Sequence, residues 1–468
     1  MGVLRMIKYF LYNLFQKNNV LQNDFKIKPY ISVEMDDAIK KWDTYYKSDT
    51  GFIVAPIVAS EASRLATIEF DVNFGGNSER KEFIEKRVKK ELLPNIRRQL
   101  EYGCAYGNLL IKPNIDGIDF IKPNFFFPLE FDSNNKMTSV LCGERRTIGK
   151  YIYTKVEKCT FKNRIYSVET RAYCSSSYYD LGFNIPLTDV ADWADIKPSV
   201  LIKNVDRPLF GFFRCPMSNN IDIDSPLGVS IYSKAANTLD QLDLTFNHFI
   251  QEIDTSDKIL FVADYLLEKS DAGRKIRKEN PLPRLIKGLN FMSDKTDVYE
   301  FVPEIRGDEF RGLMQTLLDI LSMQCGFDTG YFTFDANSRS VVTATQIEAD
   351  MQRTISTISD IQKELVNCID DIIYSMNVLA DLYESTPDGS FDYNIISKDF
   401  NVNTDEDRSR ALQLVDKGII PKWKYLVDHE GFSKDEAIAL VNSIGDTSVE
   451  KPVGTNANNL LTGSNEGV

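Results

Sequence analysis

The length of one apolar stripe constrains this chain most. Ile347, Met351, Ile355, Ile358, Leu365, Ile369, Ile372, Met376 and Leu379 recur at helical spacing, and Thr343 with Gln346 and Thr345 with Glu348 each match a capping box at its start. At 1.5 Å per residue such a helix reaches roughly 60 Å, longer than a globular fold usually needs and suited to rings and bundles. A second stripe of Ile231, Ala235, Leu239, Leu242, Phe246, Phe249 and Ile253 predicts another long helix. A third, on Phe310, Leu313, Leu317 and Leu321, runs from about Asp308 to Cys325.

The remainder is mixed. In "IEFDVNF" the apolar residues Ile68, Phe70, Val72 and Phe74 alternate with Glu69, Asp71 and Asn73, the period of a half-buried strand. Phe83, Ile84, Val88, Leu92, Ile96 and Leu100 predict a helix after it. Two hairpins follow, turning at Asn114 to Gly117 and near Asn163. The fold class is therefore α+β. Residues 404 to 445 read as shorter helices, one stopped by Gly418, the next started by Pro421, and a third opened by Ser433 with Glu436 and stopped by Gly445. Residues 449 to 468 have the composition of a disordered tail.

With 468 residues, 43% of them apolar, the chain has material for two or more cores. Its net charge of -13 argues against a surface that grips nucleic acid or anionic membrane all over. The seven cysteines include no CxxC pair, and the two histidines, His248 and His429, lack metal-ligand spacing. No GxxxxGK[ST] or GxGxxG is present, and "FGGNSER" at 74 to 80 lacks the lysine and spacing of a phosphate loop. The chain is expected to be no enzyme, with no cofactor and no metal site. Asp370 and Asp371 read as a solvated helix face. At the N-terminus, Val3, Leu4, Ile7, Phe10, Leu11, Leu14 and Phe15 recur at helical spacing and Lys8 interrupts them, which predicts an amphipathic helix over 1 to 24 rather than a leader.

Two local features stand out. Residues 268 to 288 carry Lys269, Arg274, Lys275, Arg277, Lys278, Arg284 and Lys287 against the acids Glu268, Asp271 and Glu279, an excess of four positive charges. Between the third of these helices and the longest one lies a small, polar loop in which Asn337, Ser338, Arg339, Ser340 and Val341 include a single cation.

These parts, in this order, resemble the portal proteins of tailed bacteriophages, in particular the group common in phages of Gram-positive hosts. The resemblance rests on "SPLGVSIYSKAANTLDQLDLTFNHFIQEID", then the basic insertion, "GLMQTLLDILSMQCGFDTGYFTFD" and "TATQIEADMQRTISTI", with "YGCAYGNLLIKPN" upstream and "LVDKGIIPKWKYLVDHEGFSKDEAIALV" downstream. Together they cover most of residues 50 to 445. The resemblance implies a portal-like subunit: an α+β wing over 25 to 225 and 344 to 400, stem helices over 226 to 256 and 308 to 328, and a small mixed clip over 257 to 307. A tunnel loop over 329 to 343 and a helical crown over 401 to 448 complete it.

It further implies a homo-oligomeric ring, usually a dodecamer, at one capsid vertex of the virion, assembled in the host cytoplasm. Double-stranded DNA passes through such a ring during packaging and ejection. Its partners would be the terminase motor, then head-completion or adaptor and tail proteins, beside the major capsid and scaffolding proteins. The clip's basic residues would dock a partner, and Asn337 to Val341 would line the DNA channel. Residues 307 to 386 hold thirteen acids and four bases. That balance would repel phosphate if it faced a channel, and would serve solvent or neighbouring subunits otherwise. Two competing readings are another virion component, such as a minor capsid protein or tail adaptor, and a metal-dependent nucleic-acid enzyme using carboxylates alone.

Overall fold

The computed structural model describes residues 20–27, 31–48, 51–114, 117–177, 180–256, 259–262, 285–286, 298–301, 304–334, 351–382, 387–397, 404–430, 432 and 434–445. In chain order, α1 (Val20–Phe25), α2 (Val33–Lys47) and α3 (Ala55–Ala66) precede β1 (Asp71–Gly75). Then come α4 (Glu79–Arg87), α5 (Leu93–Tyr106), β2 (Asn108–Pro113), β3 (Ile118–Ile121) and β4 (Phe126–Phe131). Three long strands follow, β5 (Met137–Ile148), β6 (Tyr151–Lys162) and β7 (Ile165–Ser175), and then β8 (Phe183–Ile185), β9 (Ser199–Lys203) and β10 (Gly211–Arg214). The helix α6 (Ala236–Thr255) leads to β11 (Ile259–Val262), β12 (Leu285–Ile286) and β13 (Val298–Phe301), which α7 (Gly307–Gln324) and α8 (Gln352–Asp381) succeed. The chain closes with β14 (Asp392–Ile396), α9 (Thr404–Asp416), α10 (Lys422–Glu430) and α11 (Lys434–Gly445). The class is α+β, as expected, and the described sheets are antiparallel apart from the short β11–β12 pairing.

Two compact units emerge. The larger comprises residues 1–70, 86–386 and 397–401, and the smaller 71–85, 387–396 and 402–468. In the larger unit the helix expected through Val88 and Leu100 is interrupted by a wide π turn at Val88–Leu92, where the Leu93 amide reaches back five residues to the Val88 carbonyl. Pro94, which has no N–H to donate, sits just beyond it. The apolar face survives, with Val88, Leu92, Ile96 and Leu100 all buried.

At the end of α5 the backbone turns at Gly107, whose φ of +84° few residues with a side chain adopt. The loop 215–231 is sewn to this turn: Cys215 donates to the Gly107 carbonyl at 2.8 Å, and the Asn108 side chain bonds the Gly228 carbonyl and amide at 3.0 and 2.9 Å. Downstream, β10, β2 and β3 form one sheet, and β4 to β8 form a meander in which β8 and β9 share one edge of β7. The β6–β7 hairpin turns on Asn163 and Arg164, both at positive φ, as its two-residue connection requires.

α8 supplies the larger unit's spine. Ile358, Ile361, Leu365, Cys368, Ile369, Ile372, Ile373 and Met376 are buried along it, against β10, β2 and α3. Its 30 described residues span about 45 Å; both capping boxes of the longer expected helix lie outside the described residues. The second stripe is shortened, because Ile231 precedes α6 and Ala235 belongs to a 3-10 turn, although both are buried.

In the smaller unit β1 pairs antiparallel with β14, from Asp71 opposite Ile396 to Gly75 opposite Asp392. The strand expected from Ile68 begins at Asp71 because Glu69 takes a positive φ of 54°, which ends regular extension. Arg80, only 2% exposed, donates through Nε to the Pro387 carbonyl at 2.5 Å and so ties α4 to the approach of β14.

A side chain at Gly107 tests the seam around it. A Cβ there would lie 2.6 Å from the Gly228 carbonyl oxygen, in a backbone region that L residues avoid. Gly107→Ala should lower unfolding stability by about 2 kcal/mol or more. Denaturant midpoints measure it, and a variant unfolding with the parent's midpoint would contradict the seam.

Candidate functional site

The sequence singles out a loop between two helices and a basic insertion. Asn337, Ser338, Arg339, Ser340 and Val341 lie outside the described residues, as do Lys269, Arg274, Lys275, Arg277, Lys278, Arg284 and Lys287. What is described is the scaffold around them.

α6 and α7 run antiparallel. At one end Thr238 Oγ1 donates to Gln324 Oε1 at 2.7 Å; at the other Arg306 grips the Glu252 carboxylate through its amide, Nε and Nη2 at 3.0, 3.1 and 2.6 Å. Phe249 and Phe310 stack with ring centres 5.3 Å apart. Leu239, Leu242, Met314, Leu318 and Leu321 are buried, while Leu244, Ile250, Ile253, Leu313 and Met323 remain exposed. Beyond the Glu252 end, β11 and β13 pair antiparallel from Ile259 opposite Phe301 to Val262 opposite Val298, closing the base of the insertion.

The end of α7 is a Schellman motif. Gly326 takes φ +83°, its amide bonds the Met323 carbonyl at 3.3 Å, and the Phe327 amide bonds the Ser322 carbonyl at 2.8 Å. Asp328 then caps a helix it does not belong to, accepting from the amides of Arg353 and Thr354 and from Thr354 Oγ1 at 3.3, 2.9 and 2.8 Å. A carboxylate at that terminus satisfies free N–H groups and favours the helix dipole. Gln315 holds the outgoing segment, its Oε1 accepting from the Phe334 amide at 3.2 Å and its Nε2 donating to the Phe332 carbonyl at 3.3 Å. The Tyr331 hydroxyl donates to Glu61. Gly330 takes a positive φ of 76°, and the residues beside it are held on both sides, by Asp328 and by Tyr331.

The acids are also less free than composition implies. Asp370 and Asp371 do not form a plain solvated face; both accept from Arg207 Nη1, at 2.5 and 2.8 Å. Asp328, Asp319 and Asp360, also among the acids of 307 to 386, likewise have partners.

A second cluster was hidden in the sequence. Cys142 on β5 faces Glu157 on β6, and Cys159 follows two residues later on the same face. One donor atom from each of these three residues lies within 4.8 Å of the others. Lys112 of β2 contacts Glu157, and Lys155 bonds Glu157 and Glu144 at 3.3 and 3.0 Å. Burial alone would raise the Glu157 pKa, but Lys112 and Lys155 outweigh it and hold the carboxyl at about 2. A cleft of about 480 Å³ opens beside them, lined by Lys112, Cys142, Glu144, Lys155 and Glu157 among others. The absence of CxxC spacing concealed this group; the signal was the alternation of β5 and β6 about the turn at Gly149, which brings 142 opposite 157.

The pH dependence of stability carries Glu157's signature. A depressed folded pKa means its contribution is full above about 4.5 and is lost as pH falls toward about 2. Glu157→Gln should flatten stability against pH in that window and destabilise the neutral protein by about 3 kcal/mol, since it leaves Lys112, only 15% exposed, short of a counter-charge. Unchanged acid titration of the unfolding midpoint would remove Glu157 from this role.

No protein-family model matches this chain, and no curated protein matches it either.

Proposed function

We propose that this chain is the portal subunit of a tailed bacteriophage, assembling as a homo-oligomeric ring, usually a dodecamer, at one capsid vertex. The observation that carries the reading is the antiparallel α6–α7 pair, tied at both ends, leading into a small sheet at one end and into a capped loop base at the other. Its inner face is filled, yet Leu244, Ile250, Ile253, Leu313 and Met323 stay exposed on one chain. Apolar side chains repeated along two helices favour burial against further copies. In this reading α6 and α7 are the stem, 257 to 307 the clip, 329 to 343 the tunnel loop, and 401 to 448 the crown.

The ring would pass double-stranded DNA inward during packaging and outward at ejection. Its basic clip would dock the terminase motor and afterwards a head-completion or adaptor protein, with the tail joining later, while capsid and scaffolding proteins surround the ring. Work on DNA comes from the motor, so the chain itself needs no catalytic centre. A channel that must release what it guides needs weak contacts, because phosphate gripping by many Lys or Arg side chains adds salt-sensitive affinity. Asn337, Ser338 and Ser340 offer neutral hydrogen bonds, and Arg339 one cation per subunit.

Ring formation is the first test. Mass measurement and electron microscopy of purified protein should find closed rings with a central hole, and a persistent monomer under assembly conditions would defeat the proposal. Within assembled rings, Arg339→Ala should leave assembly intact and change DNA retention, whereas Asn337→Lys with Ser338→Lys should slow packaging more at low salt than at high. If both variants package and retain DNA like the parent at every salt concentration, the loop does not meet DNA.

A further inference from the structure

We propose that Cys142, Glu157 and Cys159 form a binding site for a thiophilic divalent metal ion of the zinc class. The inference is independent of the portal reading. It begins with strand register: Cys142 pairs with Glu157 and Val140 with Cys159, so the two thiols lie on a diagonal of one sheet face. Diagonal partners on antiparallel strands have Cα atoms roughly 7–8 Å apart. A disulfide needs about 4.4–6.8 Å, so the pair is poorly placed to bond directly. A bridging ion relaxes that requirement, because two Zn–S bonds of about 2.3 Å insert the metal between the sulfurs. The three donor atoms, all within 4.8 Å of one another, are within side-chain adjustment of such an ion.

A separate observation points to the same place. Tyr166 on β7 is 2% exposed, and its hydroxyl lies against the Cys159 thiol without a well-formed hydrogen bond. Burying a hydroxyl unsatisfied is costly. A metal-bound Cys159 thiolate is a stronger acceptor than the thiol, and the hydroxyl would donate to it, the kind of outer contact that orients ligands around metals. Cys142 and Glu157 line the cleft of about 480 Å³, which gives the ion a route in and leaves a fourth position open to water.

Charge sets the strength. Lys112 and Lys155 already pair with Glu157, so the ion competes with Lys112 for a carboxylate oxygen and affinity is moderated. Both thiols must deprotonate, releasing two protons to solvent, and no electron is transferred. Binding therefore tightens as pH rises.

The test uses the full-length chain, reduced and stripped of metal, titrated with zinc against a chromophoric chelator and with cadmium for its thiolate charge-transfer band. One ion per chain is expected. Cys142→Ser with Cys159→Ser should abolish the cadmium band and weaken zinc binding more than about 100-fold, exceeding the loss typical of second-sphere changes. Cys104→Ser with Cys215→Ser, a control at two other buried cysteines, should leave both intact. Because the first double variant changes the core, X-ray absorption of the zinc-loaded parent provides a check that needs no variant: two sulfur neighbours are expected. Absence of binding, a zinc shell without two sulfurs, or binding that survives loss of Cys142 and Cys159 would overturn the proposal.

Discussion

Much of the larger unit depends on one close approach. The helix α8 lies on β10 so tightly that a Cβ on Gly211 would sit 2.6 Å from the Cys368 carbonyl oxygen and as near to Ile372. Only a glycine admits that contact without displacing the helix. Once seated, α8 is secured along its length by polar contacts that its buried face alone does not provide. Arg207 clamps Asp370 and Asp371 and lies 4.4 Å over the Tyr374 ring, while the Asp206 amide donates to the Tyr374 hydroxyl at 2.8 Å. Near the other end Gln362 reaches the Ala66 carbonyl and Asp328 caps the first turn. The helix thus joins the sheet to the base of the α6–α7 pair.

Helices were legible because burial repeats every three or four residues. Leu365, Ile369, Ile372 and Met376 are buried as their spacing demands, and Gly418 ends α9 at φ +70°. Local hairpins were legible for a similar reason, since Asn114 to Gly117 and Asn163 carry turn chemistry in a few adjacent residues. Pairings between distant segments were not. Nothing in Asp71 to Gly75 indicates that its partner lies some 320 residues later in Asp392 to Ile396, because alternation reports which face is buried and never which strand is adjacent. The π turn at Val88–Leu92 was equally hidden, as the apolar spacing passes through it unbroken.

The candidate sites divide along the same line. A polar loop and a basic run are properties of composition, so both could be found without knowing what surrounds them. The anchors of the loop are properties of contact. Gln315, Asp328 and Tyr331 are unremarkable in a linear reading, and only the meeting of α7 with the first turn of α8 gives them their roles. Cys142 and Cys159 belong to the second kind, being 17 positions apart and joined only by strand register.

In the proposed portal, the anchoring would have a mechanical consequence for the tunnel loop. A segment that touches a moving polymer transmits force to whatever holds its ends, and a loop hung from a single flexible strand would dissipate it. Here the segment leaving α7 is fixed by a Schellman turn, by Gln315 and by Tyr331, and the helix that resumes the chain is capped by Asp328 from that same segment. Entry and exit are therefore coupled through one carboxylate. A pull on the loop would load α7 and α8 together, and α8 would carry it to the Gly211 contact and the sheet rather than leaving it on one helix end.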